Sequence, residues 1–330
     1  MAESLVSVPD VQSQRPSLAV ALTRAGVTGV EKVIRIRHDG EEQLFSARLE
    51  CVVDLGPAQK GAHMSRFEEV VNDAIGEVVV DSSGFRAEDL ARRVAELVRE
   101  RQGALRAEVT VAARYPEHKP APVSGITTQE IYTLFGSAVA SERGTRRLVG
   151  VAAQGMTACP CAQELVAGRA RARLAEEGFD DGDVERILEA VPVATHNQRG
   201  LGTLHVGCTE RCTDDIDAAT LLAIVEESMS SEIYELMKRS DEAAVVEKAH
   251  RRPRFVEDCV REMIRGVVER FPDLADGAFV SARQENLETI HQHNVVAERF
   301  GTLGEIRREL QTGVPPAEHT TREMWLHAAP

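Results

Sequence analysis

The sequence predicts an α+β fold, with antiparallel strands covered by helices on one face. Two observations carry this. Strand-like runs are separated by turn-forming clusters, and between them apolar residues recur at helical spacing. Each half of the 330 residues also follows the order strands, helices, strands, without a residue-level repeat.

Residues 1–18 are polar, contain Pro9 and Pro16, and read as an arm. VEKVIRIR (30–37) and QLFSARLECVVDL (43–55) read as strands joined by the turn cluster HDGEE. HMSRFEEVVNDAIGEVV (63–79) and RAEDLARRVAELVRERQ (86–102) read as helices, the second with Leu90, Val94, Leu97 and Val98 on one stripe. LRAEVTVAARY (105–115), VSGITTQEIYTLFGSAVAS (123–141) and TRRLVGVAAQGMTA (145–158) read as strands. ELVAGRARARLAEEG is a helix ending at Gly178, and GTLHVGCT (202–209) a strand. IDAATLLAIVEESMSSEIYELM (216–237) reads as one or two helices, RFVEDCVREMIRGVVERF (254–271) as another, and GAFVSARQENLE (277–288) as a strand. The Pro-containing tail from about Gly313 is expected to be loosely ordered.

Composition is ordinary for a globular chain, 43% hydrophobic and 28% charged, so a sizeable core is available. A net charge of −14 and sparse aromatics speak against nucleic acid as a partner. No apolar run approaches the roughly 20 residues of a membrane span, and the N-terminus lacks a signal-peptide pattern. The expectation is a cytoplasmic protein with no membrane partner. In that compartment thiols stay reduced, which disfavours a structural disulfide among the six cysteines. Cys208 and Cys212, spaced C-x-x-x-C, then read as structural or incidental thiols.

Several constellations could carry chemistry. Cys159-Pro160-Cys161 sits where a strand gives way to a helix. The two cysteines are too close for a relaxed disulfide ring, and C-x-C is not a zinc-ribbon spacing. One could join distant ligands, and a thiolate there would feel a helix N-terminus; the bland alternative is a pair of buried core thiols, the commoner fate of free cysteine. His196 lies among polar neighbours in THNQRG, which suits a ligand or an acid/base, and Arg199 beside it could pair with phosphate. His63 and Arg66 open a helix after a Gly-containing loop, either an anion site or an ordinary solvated helix start. Lys238 and Arg239 add cations to an acidic chain, with Glu242 following. Glu257 sits at the edge of the stripe Val256, Val260, Met263 and Val267, where a carboxylate faces either a partly dry pocket or solvent. In ENLETIHQHN, a helix would align Glu288 with His291, whereas an extended chain would align His291 with His293.

Taken in order, PDVQ (9–12), KGAHMSRF (60–67), ACPC (158–161), HNQR (196–199), SMSSEIYELMKRSDE (228–242), PRFVED (253–258) and ENLETIHQHN resemble the type IB GTP cyclohydrolases, the prokaryotic family that includes the archaeal enzyme of methanopterin synthesis. The resemblance runs from about residue 9 to about 300. The segment between Cys161 and His196 is longer than in compact members, and the tail beyond about 305 is extra. The resemblance implies a tunnelling fold, antiparallel sheets with helices on one face, duplicated within the chain. The expected spans are an arm at 1–18, halves at 19–158 and 159–304, and a tail at 305–330.

The resemblance also implies a homotetramer with active sites at subunit interfaces, and a metal-dependent reaction. GTP and water would give 7,8-dihydroneopterin triphosphate and formate, the first step of folate or pterin synthesis. A divalent metal (zinc, manganese or iron(II)) would be held by Cys159, Glu242, His291 and Glu288. His196 would transfer protons during ring opening and Glu257 would anchor the guanine. His63, Arg66, Arg199, Lys238 and Arg239 would meet the triphosphate. Neither nicotinamide nor flavin is expected, since no dinucleotide fingerprint is visible; this argues against a deazapurine nitrile reductase of the same fold. The alternative is a non-catalytic or altered-substrate paralogue that binds a purine or a metal.

Overall fold

The computed structural model describes residues 10–38, 41–77, 86–210, 212 and 215–328. Residues 1–9 of the arm, the turn at 39–40, the end of the first expected helix at 78–79 and the last two residues lie outside the described residues. The chain begins with two long strands, β1 (Leu22–His38) and β2 (Glu41–Leu55), and two helices, α1 (Met64–Glu77) and α2 (Ala87–Gln102). A meander of β3 (Arg106–Pro120), β4 (Thr127–Ser141) and β5 (Gly144–Ala158) follows, then α3 (Pro160–Glu176) and α4 (Asp181–Ala190). Next come β6 (Asn197–Cys208), α5 (Ala218–Ser228), the two-residue β7 (Ser231–Glu232), α6 (Arg239–Arg251) and α7 (Val256–Arg270). The chain ends with β8 (Phe279–Leu287), β9 (Val295–Thr302), α8 (Leu303–Thr312) and α9 (Arg322–His327).

The strands form one antiparallel sheet in the order β1-β2-β3-β4-β5-β6-β8-β9, with β7 paired to β5. This corrects the expectation of a tunnelling fold with its sheets duplicated along the chain. The α+β class stands, but β5 and β6 pair continuously from Arg147↔Cys208 to Ala158↔Asn197, so one sheet runs through the middle of the molecule.

Alternation explains the layers. Val149, Val151 and Ala153 of β5 point into one core with Leu90, Val94 and Val98 of α2 and Leu221, Ile224 and Val225 of α5. Leu148 points the other way, into a small cluster with Val139, Phe279 and Trp325 of α9. The tail is therefore not loose: Trp325 is 2% exposed, and its indole N–H donates to the Gly277 carbonyl at 2.8 Å.

Two further expectations change. The helical text of 216–237 stops at Ser228, because Ser231 and Glu232 pair with Met156 and Gly155 where β4 no longer covers β5. Cys208 and Cys212 are disulfide-bonded, their Cα atoms 5.4 Å apart at the end of β6.

Candidate active site

The ACPC question resolves first. Cys51 and Cys259 are buried core thiols, whereas Cys159 is partly exposed and Cys161 exposed. Cys159 takes an extended conformation (φ −76°, ψ 117°) as the N-cap of α3, Pro160 opens the helix, and the Cys159 Sγ accepts from the Ala162 N–H at 3.5 Å. The sulfur thus lies at the positive end of a 17-residue helix, at the tip of β5.

Backbone bonds bring the next motif beside it. The Cys159 N–H donates to the His196 carbonyl at 3.1 Å, and the Thr195 hydroxyl donates to the Cys159 carbonyl at 2.9 Å. The His196 ring is directed at Glu288, with Nδ1 3.9 Å from Oε2. Both side chains are nearly enclosed, 14% and 6% exposed, and the buried His196 Nδ1 has no hydrogen-bond partner. Glu288 follows the end of β8, held there by the Thr289 hydroxyl donating to the Asn197 carbonyl at 3.0 Å. The His196–Glu288 pair is therefore tied through the backbone to Cys159, where β5 and β8 end and β6 begins.

The floor of this cluster is polar and buried. Thr157 Oγ1, Gln198 Oε1 and Gln284 Oε1 are buried without partners. The Ser230 hydroxyl accepts from the Ala158 N–H at 3.1 Å, and the Arg254 N–H donates to the Ala158 carbonyl at 2.9 Å. Gln198 lies within HNQR and Ser230 within SMSSE, whereas Thr157 and Gln284 carry no periodic signal that marks them.

Other expected site residues lie apart in one chain. Glu257 is exposed on the first turn of α7 and lines a cavity of about 310 Å³ with Val260, Ala297 and Ile306; Cys159, His196 and Glu288 do not line it. Glu242 is exposed on α6. His291 is exposed and its ring stacks on His293 at 5.3 Å; residues 289–293 bend between β8 and β9, so the segment is neither the helix nor the extended strand expected. His63 stands 3.6 Å from Asp10, and Arg66 donates to the Arg101 carbonyl at 2.9 Å, both at the start of α1. Arg199 donates to Gln154 at 3.3 Å on β6. Lys238 and Arg239 start α6, where the neighbour that works structurally is Asp241. Asp241 is fully buried and accepts from the Val123, Ser124 and Lys238 N–H groups and the Ser124 hydroxyl at 2.7–2.8 Å. Burial opposes its charge, but these donors hold its carboxyl well below the usual range.

The donor types of the cluster, thiolate, imidazole and carboxylate, suit a divalent transition metal, and the orphaned His196 nitrogen leaves a donor position free. Among the described residues, however, no three His, Cys, Asp or Glu side chains are gathered closely enough to hold one. No described helix is long and apolar enough to cross a membrane.

The chain is similar to solved uricase structures, that from Arthrobacter globiformis with a TM-score of 0.51 at 9% identity over 85% of this chain and 93% of that one. A thermostable uricase mutant matches at TM-score 0.51 and 8% identity, covering 94% and 98%. At such identity the likeness concerns fold alone, and it completes the correction of the expected fold. In sequence, the chain is 40% identical over 309 residues to "GTP cyclohydrolase MptA" of Methanococcus vannielii, covering 92% of this chain and 98% of the relative. It is 41% identical over 309 residues to the protein of that name from Methanococcus aeolicus, covering 92% and 99%. The model of the family described as type I GTP cyclohydrolase folE2 matches residues 8–297, a span that holds Cys159, His196 and Glu288 alike, and the chain belongs to that family.

Proposed function

We propose that this protein is a GTP cyclohydrolase that opens the imidazole ring of GTP by attack of water at C8, releases formate and recloses a pterin ring. The observation that carries the reading is the pairing of the His196 ring, its Nδ1 buried and unpartnered, with Glu288 beside the helix-capping thiol of Cys159. The 40% identity to the MptA proteins over most of the chain supports it. The finer proposal is that the product is 7,8-dihydroneopterin triphosphate.

In this reading, His196 holds the proton delivered to the ring nitrogen as the C8–N bond breaks, and Glu288 orients the imidazole and balances its charge. Cys159 would present its sulfur, at the N-terminus of α3, to the same substrate. The enclosure of His196 and Glu288 limits bulk water, which strengthens their interaction with developing charge. Glu257 would accept from the guanine N–H groups. Arg199, three residues from His196, would meet a phosphate, joined by His63, Arg66, Lys238 and Arg239.

Cys159, Glu288, His291 and Glu242 are proposed to hold zinc, manganese or iron(II), which when bound supplies hydroxide near neutral pH. Because Glu257, Glu242 and His291 stand outside the cluster within one chain, a homotetramer with sites between copies belongs to the proposal. The open sheet edges at β1 and β9 carry unpaired backbone groups that such an assembly would use.

The test is incubation of metal-stripped protein with GTP, with and without Zn²⁺, Mn²⁺ or Fe²⁺, following formate and, after oxidation, fluorescent pterin. Metal-dependent release of both supports the reading. Formate alone limits the reaction to ring opening, and neither product from folded, metal-loaded protein rejects it.

A further inference from the structure

The sheet face opposite the main helices carries a second cavity, of about 430 Å³, between β2, β4, β6 and α9. Such a volume suits a small organic ligand. Two guanidiniums line it, Arg48 of β2 and Arg322 of α9, and neither has a carboxylate at ion-pair distance among the described residues. Glu50, the carboxylate in its wall, is engaged by Arg24. Arg322 donates one terminal N–H to the Ser137 hydroxyl at 2.9 Å, but its Nε is buried with no partner among the described residues. A buried unsatisfied N–H on a cation is costly, and an oxyanion would remove that cost.

The opposite wall is aromatic. His205 packs on Phe135 with ring centroids 5.3 Å apart. Gly150 on the neighbouring strand lets the imidazole lie flat on the sheet: a Cβ there would be 2.3 Å from His205 Cδ2. Burial, with Arg322 adding, pushes the His205 pKa down to about 4, so the ring is neutral near pH 7 and the positive charge belongs to the two arginines. Its ring nitrogens make no hydrogen bond within the described protein.

We propose that this cavity binds a small aromatic oxyanion, with its carboxylate or phosphate on Arg322 and Arg48 and its ring against Phe135 and His205. The site is separate from the Cys159 cluster: His205 lies eight residues along β6 from Asn197, roughly 26 Å at strand rise. It also depends on a segment outside the family match, which ends at residue 297.

Trp325, the sole tryptophan, lies one turn from Arg322 in α9 and reports occupancy by its emission. Phenyl phosphate, benzoate and inorganic phosphate are titrated into the full-length protein, followed by Trp325 fluorescence and calorimetry. Saturable binding of phenyl phosphate or benzoate is expected, at least about tenfold tighter than inorganic phosphate. Arg322→Gln and Arg48→Gln should each weaken it about tenfold while formate release from GTP is unchanged. Should Arg322→Gln fail to fold, Arg48→Gln decides, since Arg48 is exposed and forms no ion pair. No saturable binding overturns the proposal. So does binding that survives both substitutions, binding in which inorganic phosphate equals the aromatic probes, or binding lost in Cys159→Ala, which would report the GTP site.

Discussion

The Nδ1 atom of His196 lies 3.9 Å from Oε2 of Glu288 and has no hydrogen-bond partner, although both side chains are nearly enclosed. An imidazole and a carboxylate so placed act as a unit, so their removals should not add. His196→Ala and Glu288→Gln are each expected to lower kcat by about 10²–10⁴. The double variant should lose little more than the worse single one. Steady-state formate release from the four proteins checks this, and strictly multiplicative losses would separate the two residues. Metal content measured alongside tests the assignments: retention in His196→Ala fits proton transfer, whereas its loss makes His196 a ligand.

Cys159 and Cys161 should behave oppositely. Cys159 caps α3 at the tip of β5, while Cys161 is exposed inside the first turn. Cys159→Ala is expected to abolish formate release with the fold retained, and Cys161→Ala to leave the rate within about twofold, as for an exposed residue with no partner. Turnover of both variants with matching circular dichroism tests the contrast. Substantial activity in Cys159→Ala removes that thiol from the mechanism.

Glu257 tests the interface reading. It is exposed in one chain and lines a cavity from which Cys159, His196 and Glu288 are absent. If it anchors guanine for a site completed by another copy, Glu257→Gln raises the GTP dissociation constant about tenfold while metal content is unchanged. Mixing inactive Cys159→Ala and Glu257→Gln chains should then restore part of the activity. Unchanged GTP affinity in Glu257→Gln rejects the anchor role.

Legibility followed the physical strength of each signal. The stripe Leu90, Val94, Leu97 and Val98 marked α2, because apolar residues recur there at helical spacing, and Leu90, Val94 and Val98 are wholly buried. In β3, buried residues alternate from Ala107 to Ala113, as the strand text implied. α6 went unread: RSDEAAVVEKAHR buries only Asp241, Val245 and Ala249, a stripe with a carboxylate at one end and just two apolar residues. β7 was unreadable in principle, since two residues have no period and its strand state comes from pairing with Gly155 and Met156. The order of the motifs put Cys159, His196 and Glu288 among the candidates. Of their polar floor, Gln198 lies within HNQR, whereas the burial of Thr157 and Gln284 is a product of tertiary packing and left no local trace.

The tail's packing sets a stability prediction. Trp325 is buried against Phe279 at 5.6 Å and under the Arg146 guanidinium at 5.2 Å. Trp325→Ala removes this aromatic and its hydrogen bond, which should cost about 3–5 kcal/mol. Because Trp325 is remote from Cys159, formate release well below the new melting midpoint should be unchanged. Urea unfolding followed by circular dichroism checks the first expectation, and an unshifted midpoint would mean that α9 contributes no net stability.

Glu88 supplies the pH dependence. It is 7% exposed on the first turn of α2, and burial, reinforced by Asp89 and opposed by its backbone hydrogen bond, Arg86 and Arg147, pushes its pKa from 4.5 up to about 7. Between those values the folded chain keeps a proton that the unfolded chain releases. Its contribution is therefore full below about pH 4.5, falls as pH rises through about 7, and is constant above. Glu88→Gln keeps the shape and removes the ionisation. Relative to the parent, it should gain about 3 kcal/mol of stability at pH 8 and little at pH 4.5. Urea midpoints of both proteins at pH 4.5, 6 and 8 measure this, and a gain independent of pH would show that Glu88 does not hold its proton in the fold.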